Sequence, residues 1–147
     1  MKFKHGTRRR AAEYEKDWVQ RWKEDDTFNK SVAQRPADNS WVFYDGPPFL
    51  TGTPHHGHLL VSTVKDTMGR FHTMKGQRVE RRWGWDCHGL PAEVYVEKTL
   101  GISNKKEIGT KISVSDYVKE CRAAMVRTGT EWEDTIERIG RWVEFKG

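Results

Sequence analysis

The chain has 147 residues, 35% of them hydrophobic and 32% charged, with a net charge of +5. That balance suits one modest domain or part of one and excludes wholesale disorder, and no apolar run is long enough for a membrane span. The basic start at residues 1–10 lacks the apolar stretch of a secretory signal and reads as a solvated tail or a nucleic-acid contact, and two cysteines, Cys87 and Cys121, give no disulfide framework and fit a reducing compartment.

Residues 11–26 read as a helix, with Tyr14, Trp18 and Trp22 four apart on one face. Residues 31–40, with Pro36, Asp38 and Asn39, read as a loop. Residues 41–44 (Trp-Val-Phe-Tyr) are dense in β-formers and predict a buried strand. Three prolines and two glycines make residues 45–54 an irregular loop. A helix follows over residues 56–75, with Leu60, Val64, Met68, Phe71 and Met74 on one face and Gly76 as its stop. Residues 77–83 alternate well enough for a second strand. Strand, glycine-rich loop, helix, strand is a βαβ unit, so parallel pairing is expected.

Beyond the turn at Gly89-Leu90-Pro91 the pattern gives a short helix over residues 92–100 and a polar connector over 101–110. A longer helical pattern covers residues 115–140. Its stripe of Val118, Cys121, Met125, Thr128, Trp132, Ile136 and Ile139 reads as core packing, and Gly129 weakens its middle. The chain closes on an apolar run at residues 142–147. Seven Trp are many for this length, and Trp132 and Trp142 are expected to want partners beyond the chain.

Charge is uneven. Residues 65–82 carry six basic side chains against Asp66 and Glu80, whereas residues 83–147 are close to neutral. A basic centre either steers a polyanion or forms a solvated face.

Two short clusters carry candidate chemistry. His55-His56-Gly57-His58 lies where a loop hands over to a helix, so unpaired N–H groups and the positive dipole end favour a phosphate there. Imidazole donors add to this, and Gly52 and Gly57 permit close approach; the alternative is that these residues are turn and cap residues only. The second cluster, Gly84 to Pro91, follows the second strand. In open parallel α/β sheets ligands sit beyond the strand ends, so both clusters should face one cleft. Asp86 there either holds an ammonium group or caps its own turn. His55, His56, His58, Cys87 and His88 are possible zinc ligands, but their spacing matches no standard finger or ribbon, and no protein-bound metal is expected.

Three blocks, Tyr44-Asp45-Gly46-Pro47-Pro48-Phe49, Gly52 to Leu59 and Gly84 to Pro91, resemble in order and separation the N-terminal catalytic region of isoleucyl-tRNA synthetases. Pro54 to His58 is similar to the class I signature His-Ile-Gly-His, with His56 in its variable second place. The similarity runs from about Tyr14 to Phe145 and includes Cys121-Arg122 and residues 138–142. Leucine enzymes usually carry Ala-Phe where this chain has Cys87-His88, and valine enzymes a block containing Thr-Asp. Isoleucine is therefore favoured, with leucine second and valine third.

The resemblance implies an α/β fold: the first half of a Rossmann-type parallel-sheet nucleotide-binding domain over residues 41–147, incomplete at its C-terminus. Residues 1–40 would form a basic tail, a helix and a loop before it, and a helical segment would end the chain. It implies that His55 and His58 contact the ATP phosphates and stabilise the α-phosphorus under attack. Gly57 would leave room for the nucleoside, Pro47 would wall the amino acid, and Asp86 would bind its ammonium. Substrates would be isoleucine, ATP with Mg2+, and tRNA(Ile), in the cytoplasm. No Lys-Met-Ser-Lys-Ser-like loop, editing insertion or anticodon-binding helices occur. The implied object is an N-terminal piece, weak or inactive alone, whose further partner is the remainder of a synthetase. A non-catalytic, synthetase-like binding module is the alternative.

Overall fold

The computed structural model describes residues 9–49, 52–127 and 129–145. Most of the expected basic tail, and Thr128 of the expected stripe, lie outside the described residues. Six α-helices are present among them: α1 (Ala11–Glu24), α2 (Thr27–Ala33), α3 (His56–Met74), α4 (Leu90–Leu100), α5 (Val114–Arg127) and α6 (Gly129–Arg138), with a 3-10 turn at Lys105–Glu107.

Helix α1 ends with Arg21 and Lys23 in its last turn, where cations suit the negative dipole end. Asp26 then takes a left-handed conformation (φ 47°) and turns the chain into α2. Part of α2 falls where a loop is expected. Phe28 explains the difference, since its ring reaches Trp142 at 6.2 Å and makes a helical turn there worth ordering. The loop signals themselves take effect only from Gln34 onward. The long pattern over 115–140 is met by α5 and α6.

The expected parallel sheet is not shown; among the described residues no segment forms a regular strand. Instead three extended segments lie side by side through single parallel bridges, Ser40 with Arg78, Phe49 with Asp86, and Arg82 with Glu144. Arg78 and Asp86 turn their backbone groups toward the 40–49 segment, with Trp41 N to Arg78 O at 2.9 Å and Asp86 N to Pro48 O at 2.9 Å. Arg81 and Trp83 turn theirs the other way, to Glu144 at 2.8 Å each. The 78–86 segment therefore lies between the other two. Pro47 and Pro48 have no N–H to give, so a continuous ladder cannot run through the 45–49 loop. Residues 41–44 are not the buried strand expected: Val42 is 69% exposed and Tyr44 93%, and the segment is joined to its neighbour through Trp41 N to Arg78 O.

Helix α3 carries its apolar stripe outward. Leu60, Val64, Met68, Phe71 and Met74 are all exposed, and the buried residues are Ser62, Gly69 and Thr73. The inward face is polar. Lys65 pairs with Asp45, Asp66 pairs with Arg70 at 2.6 Å and accepts from Trp142 N at 3.1 Å, and Arg81 donates to Thr73 Oγ1 at 2.8 Å. Gly69 admits the Arg81 guanidinium, since a Cβ at that position would stand 2.4 Å from Arg81 Nε. Burial lowers the Arg81 pKa to about 10, opposed by Asp66 and reinforced by Arg70, Arg141 and Arg35. Arg70 is held between Trp142 (3.8 Å) and Trp22 (4.8 Å), so charge and aromatic faces share this interior.

Apolar packing is found elsewhere, chiefly on α4, α5 and α6. Val96, Ile102, Tyr117 and Ala124 join α4 and α5 in one cluster. Trp132 and Ile136, at 1% and 0% exposure, bury α6. Lys23 with Glu137 (2.5 Å) and Arg138 with Glu15 (3.3 Å) then tie α6 to α1.

Candidate functional site

His55 is the N-cap of α3, in extended conformation. Its Nδ1 accepts from Gly57 N at 3.1 Å, while its own N–H donates to His58 Nδ1 at 3.2 Å. This is a reciprocal capping box built from two imidazoles, a pairing more often made by Ser or Thr with Glu. The rings stack with centroids 3.6 Å apart. With each Nδ1 committed as an acceptor, the neutral rings carry their protons on Nε2, which leaves two adjacent N–H donors at a helix start. Burial first, then His55 and Lys65, lowers the His58 pKa below its ordinary 6.5, which favours the neutral donor form. Gly57 makes the box possible, because a Cβ there would lie 3.0 Å from His55 Cε1.

A cavity of about 250 Å³ opens beside this helix start. Pro47, Pro48 and His58 line it, with Trp83 and Gly84 from the second loop. The two loops come within van der Waals distance at Gly84, where a Cβ would meet Pro47 Cβ at 3.6 Å. Asp86 is not in the cavity wall. It is half-buried next to it, joined to the first loop by its bridge to Phe49. Its Oδ1 accepts from His88 N at 3.3 Å, so the turn-capping geometry is present.

The structure thus brings Pro47 and His58 to one cavity, attaches His55 through the ring stack, sets Gly57 beneath His55, and holds Asp86 on the adjoining loop. Among the described residues no three His, Cys, Asp or Glu side chains gather as a metal site. The basic centre is not one solvated face either. Lys65, Arg70 and Arg81 turn inward, while Arg82 is 76% exposed.

Sequence reasoning missed Asp45, Lys65 and Arg141. Asp45 accepts ion pairs from both Lys65 and Arg141, and Arg141 also donates to Ser62 Oγ at 3.2 Å. The Arg141 side chain is only 7% exposed. Together they fasten the proline loop to α3 and to the 140–145 segment. Asp45 stands in the first motif block and Lys65 in the basic stretch, but a pairing across 96 residues leaves no local signal. Trp132, expected to await a partner, is instead buried beneath His58 and Trp85. Trp142 is half-buried against Trp22, Phe28 and Arg70.

Residues 17–147 match the family model described as tRNA synthetases class I (I, L, M and V). Among curated relatives, an isoleucine--tRNA ligase of Treponema denticola is 48% identical over 135 residues, 92% of this chain and 12% of the relative. The cytoplasmic isoleucine--tRNA ligase of Caenorhabditis elegans is 48% identical over 87% of this chain and 11% of its own length. Isoleucine--tRNA ligase 2 of Pseudomonas fluorescens is 46% identical over 88% and 12% respectively. The chain therefore spans about an eighth of the length of these relatives.

Proposed function

The chain belongs to the class I tRNA synthetases of the I, L, M and V group, and on that footing we propose that it forms the phosphate- and amino-acid-binding part of an isoleucine--tRNA ligase. The observation that carries this reading is the stacked His55–His58 pair at the start of α3, whose His58 lines one cavity with Pro47. The relatives' names supply the amino acid.

In the proposed reaction a carboxylate oxygen of isoleucine attacks the α-phosphorus of ATP. The bond to the bridging oxygen breaks, and pyrophosphate leaves with its electron pair. Negative charge grows on the phosphate oxygens as this happens. Donors already fixed by the capping box stabilise it without reorganising. Mg2+ arrives on the ATP phosphates and neutralises part of their charge. Asp86 Oδ2 would hold the ammonium of isoleucine, and the Pro47 ring would wall its side chain, so that the carboxylate faces the α-phosphorus. A terminal ribose hydroxyl of tRNA(Ile) then attacks the adenylate carbonyl and releases AMP.

The parallel arrangement of the 40–49, 78–86 and 144 segments beside α3 supports a Rossmann-type half over residues 41–147, preceded by α1 and α2. A pocket that separates isoleucine from valine by one methylene gains only ~10–200-fold, so most of the fidelity would come from elsewhere in a whole enzyme. The cytoplasm fits the reading, and no described helix is long and apolar enough to cross a membrane.

The test is ATP–pyrophosphate exchange by this chain combined with the complementary C-terminal part of a synthetase. Isoleucine should drive exchange, and His58→Ala or Asp86→Ala should each lower it by about 100-fold or more, as loss of a preorganised charge contact does. Exchange driven by leucine or valine would overturn the amino-acid assignment. Exchange indifferent to both substitutions would overturn the site.

A further inference from the structure

The floor of the cavity comes from a distant part of the chain. Trp132 on α6 is 1% exposed, and its Nε1–H donates to the Gly52 carbonyl at 2.6 Å, in the loop that delivers His55. Its ring meets His58 edge-on at 4.8 Å and meets Trp85, the residue before Asp86, at 6.1 Å and 82°. One indole therefore touches the loop before α3, the first turn of α3 and the segment that carries Asp86.

Filling the interior would not need this residue. Leu or Phe would cover the same apolar neighbours, whereas a buried indole N–H is costly unless it finds an acceptor. Here the acceptor is a backbone carbonyl 80 residues away, at the approach to the capping box. The edge-to-face contact sets the plane of the His58 ring and covers one side of this half-buried imidazole.

We propose that Trp132 is a positioning residue for the site, anchoring the loop at Gly52 and holding the His58 imidazole in its paired orientation. The proposal rests on the reading of His58 as a phosphate donor, and its test therefore observes the ring without ATP. The charged and titratable groups around His58 are His55 at the cap, Lys65 on α3, Asp45 on the proline loop and Arg141 from the closing segment. Among the described residues, helix α6 adds the Trp132 indole alone to this wall.

Imidazole 15N NMR on the 147-residue chain reads both tautomer and titration. In the parent, His58 should carry its proton on Nε2 and titrate below 6.5. Trp132→Ala should move the midpoint up toward 6.5 and weaken the tautomer preference. Trp132→Phe keeps a ring edge but no N–H. It should leave the His58 midpoint low while the His55 amide exchanges about fivefold faster, the change expected for one lost hydrogen bond. If Trp132→Ala loses its helical circular dichroism, the Phe variant decides alone. An unchanged His58 titration in folded Trp132→Ala, or unchanged His55 exchange in Trp132→Phe, would overturn the proposal and leave Trp132 as core filling. A parent that fails to bind pyrophosphate while both changes occur would strike the phosphate reading and leave the positioning role standing.

Discussion

His55 holds two tasks in one ring, and substitutions can separate them. Its Nδ1 caps α3, and its Nε2–H is the donor proposed for phosphate. Asn is among the best N-caps but has no second donor at the position of Nε2. His55→Asn is therefore expected to keep thermal stability while weakening ATP binding by calorimetry. His55→Ala should lose both, with about 1 kcal/mol of stability gone. His58 adds a pH dependence. Its folded pKa lies below the unfolded 6.5, so its contribution to stability is present above 6.5 and is lost as pH falls through the folded value. Urea midpoints measured between pH 7.5 and 5.5 should fall in the parent, and the fall should be shallower in His58→Asn, which keeps an acceptor but cannot titrate.

At the scale of elements, α3 inverts the usual amphipathic arrangement. Its interior face is built from small and ionic residues spaced at 62, 65, 66, 69 and 73, and each finds a partner that a hydrophobic core would not supply. Gly69→Ala tests how closely that face is fitted. Helix propensity favours Ala by about 1 kcal/mol, but overpacking against buried Arg81 costs about 1–3 kcal/mol. Net destabilisation is expected by chemical denaturation, and Arg81→Leu in the same chain should recover part of it, because Leu has no atom at the position of Nε. Arg141→Ala would leave Asp45 with Lys65 alone. A loss of about 1.5–3 kcal/mol is expected, the worth of a hydrogen bond to a charged group, since Asp45 is part-exposed and keeps Lys65. On α5, burial raises the Cys121 pKa, with a Tyr117 hydrogen bond opposing it and Glu93 adding to it. Iodoacetamide should alkylate Cys121 more slowly at pH 8 in the folded chain than in urea.

For the whole molecule, the exposed stripe of α3 predicts self-association, since Leu60, Val64, Met68, Phe71 and Met74 make a contiguous apolar ridge. Sedimentation velocity should reveal a concentration-dependent shift to larger species, and Val64→Glu with Met68→Glu should suppress it. Both substituted side chains are already in water, so helicity should be unchanged.

Sequence alone determined the family, the start and stop of α3, the helical character of both chain halves, and the two loops that meet at the cavity. Those features are local: motif spacing, a cap followed by a periodic run, and prolines that cannot sustain a ladder. Tertiary structure decided which face of α3 turns inward. Apolar periodicity marks a face but not its neighbour, and here the neighbours are Arg81, Arg141 and Asp45. It also decided that the 41–44 segment stays exposed, that the basic centre is largely paired, and that Trp132 supports His58 from 74 residues away. Pairing at such separations depends on how distant segments close in space, and no window of sequence contains both partners.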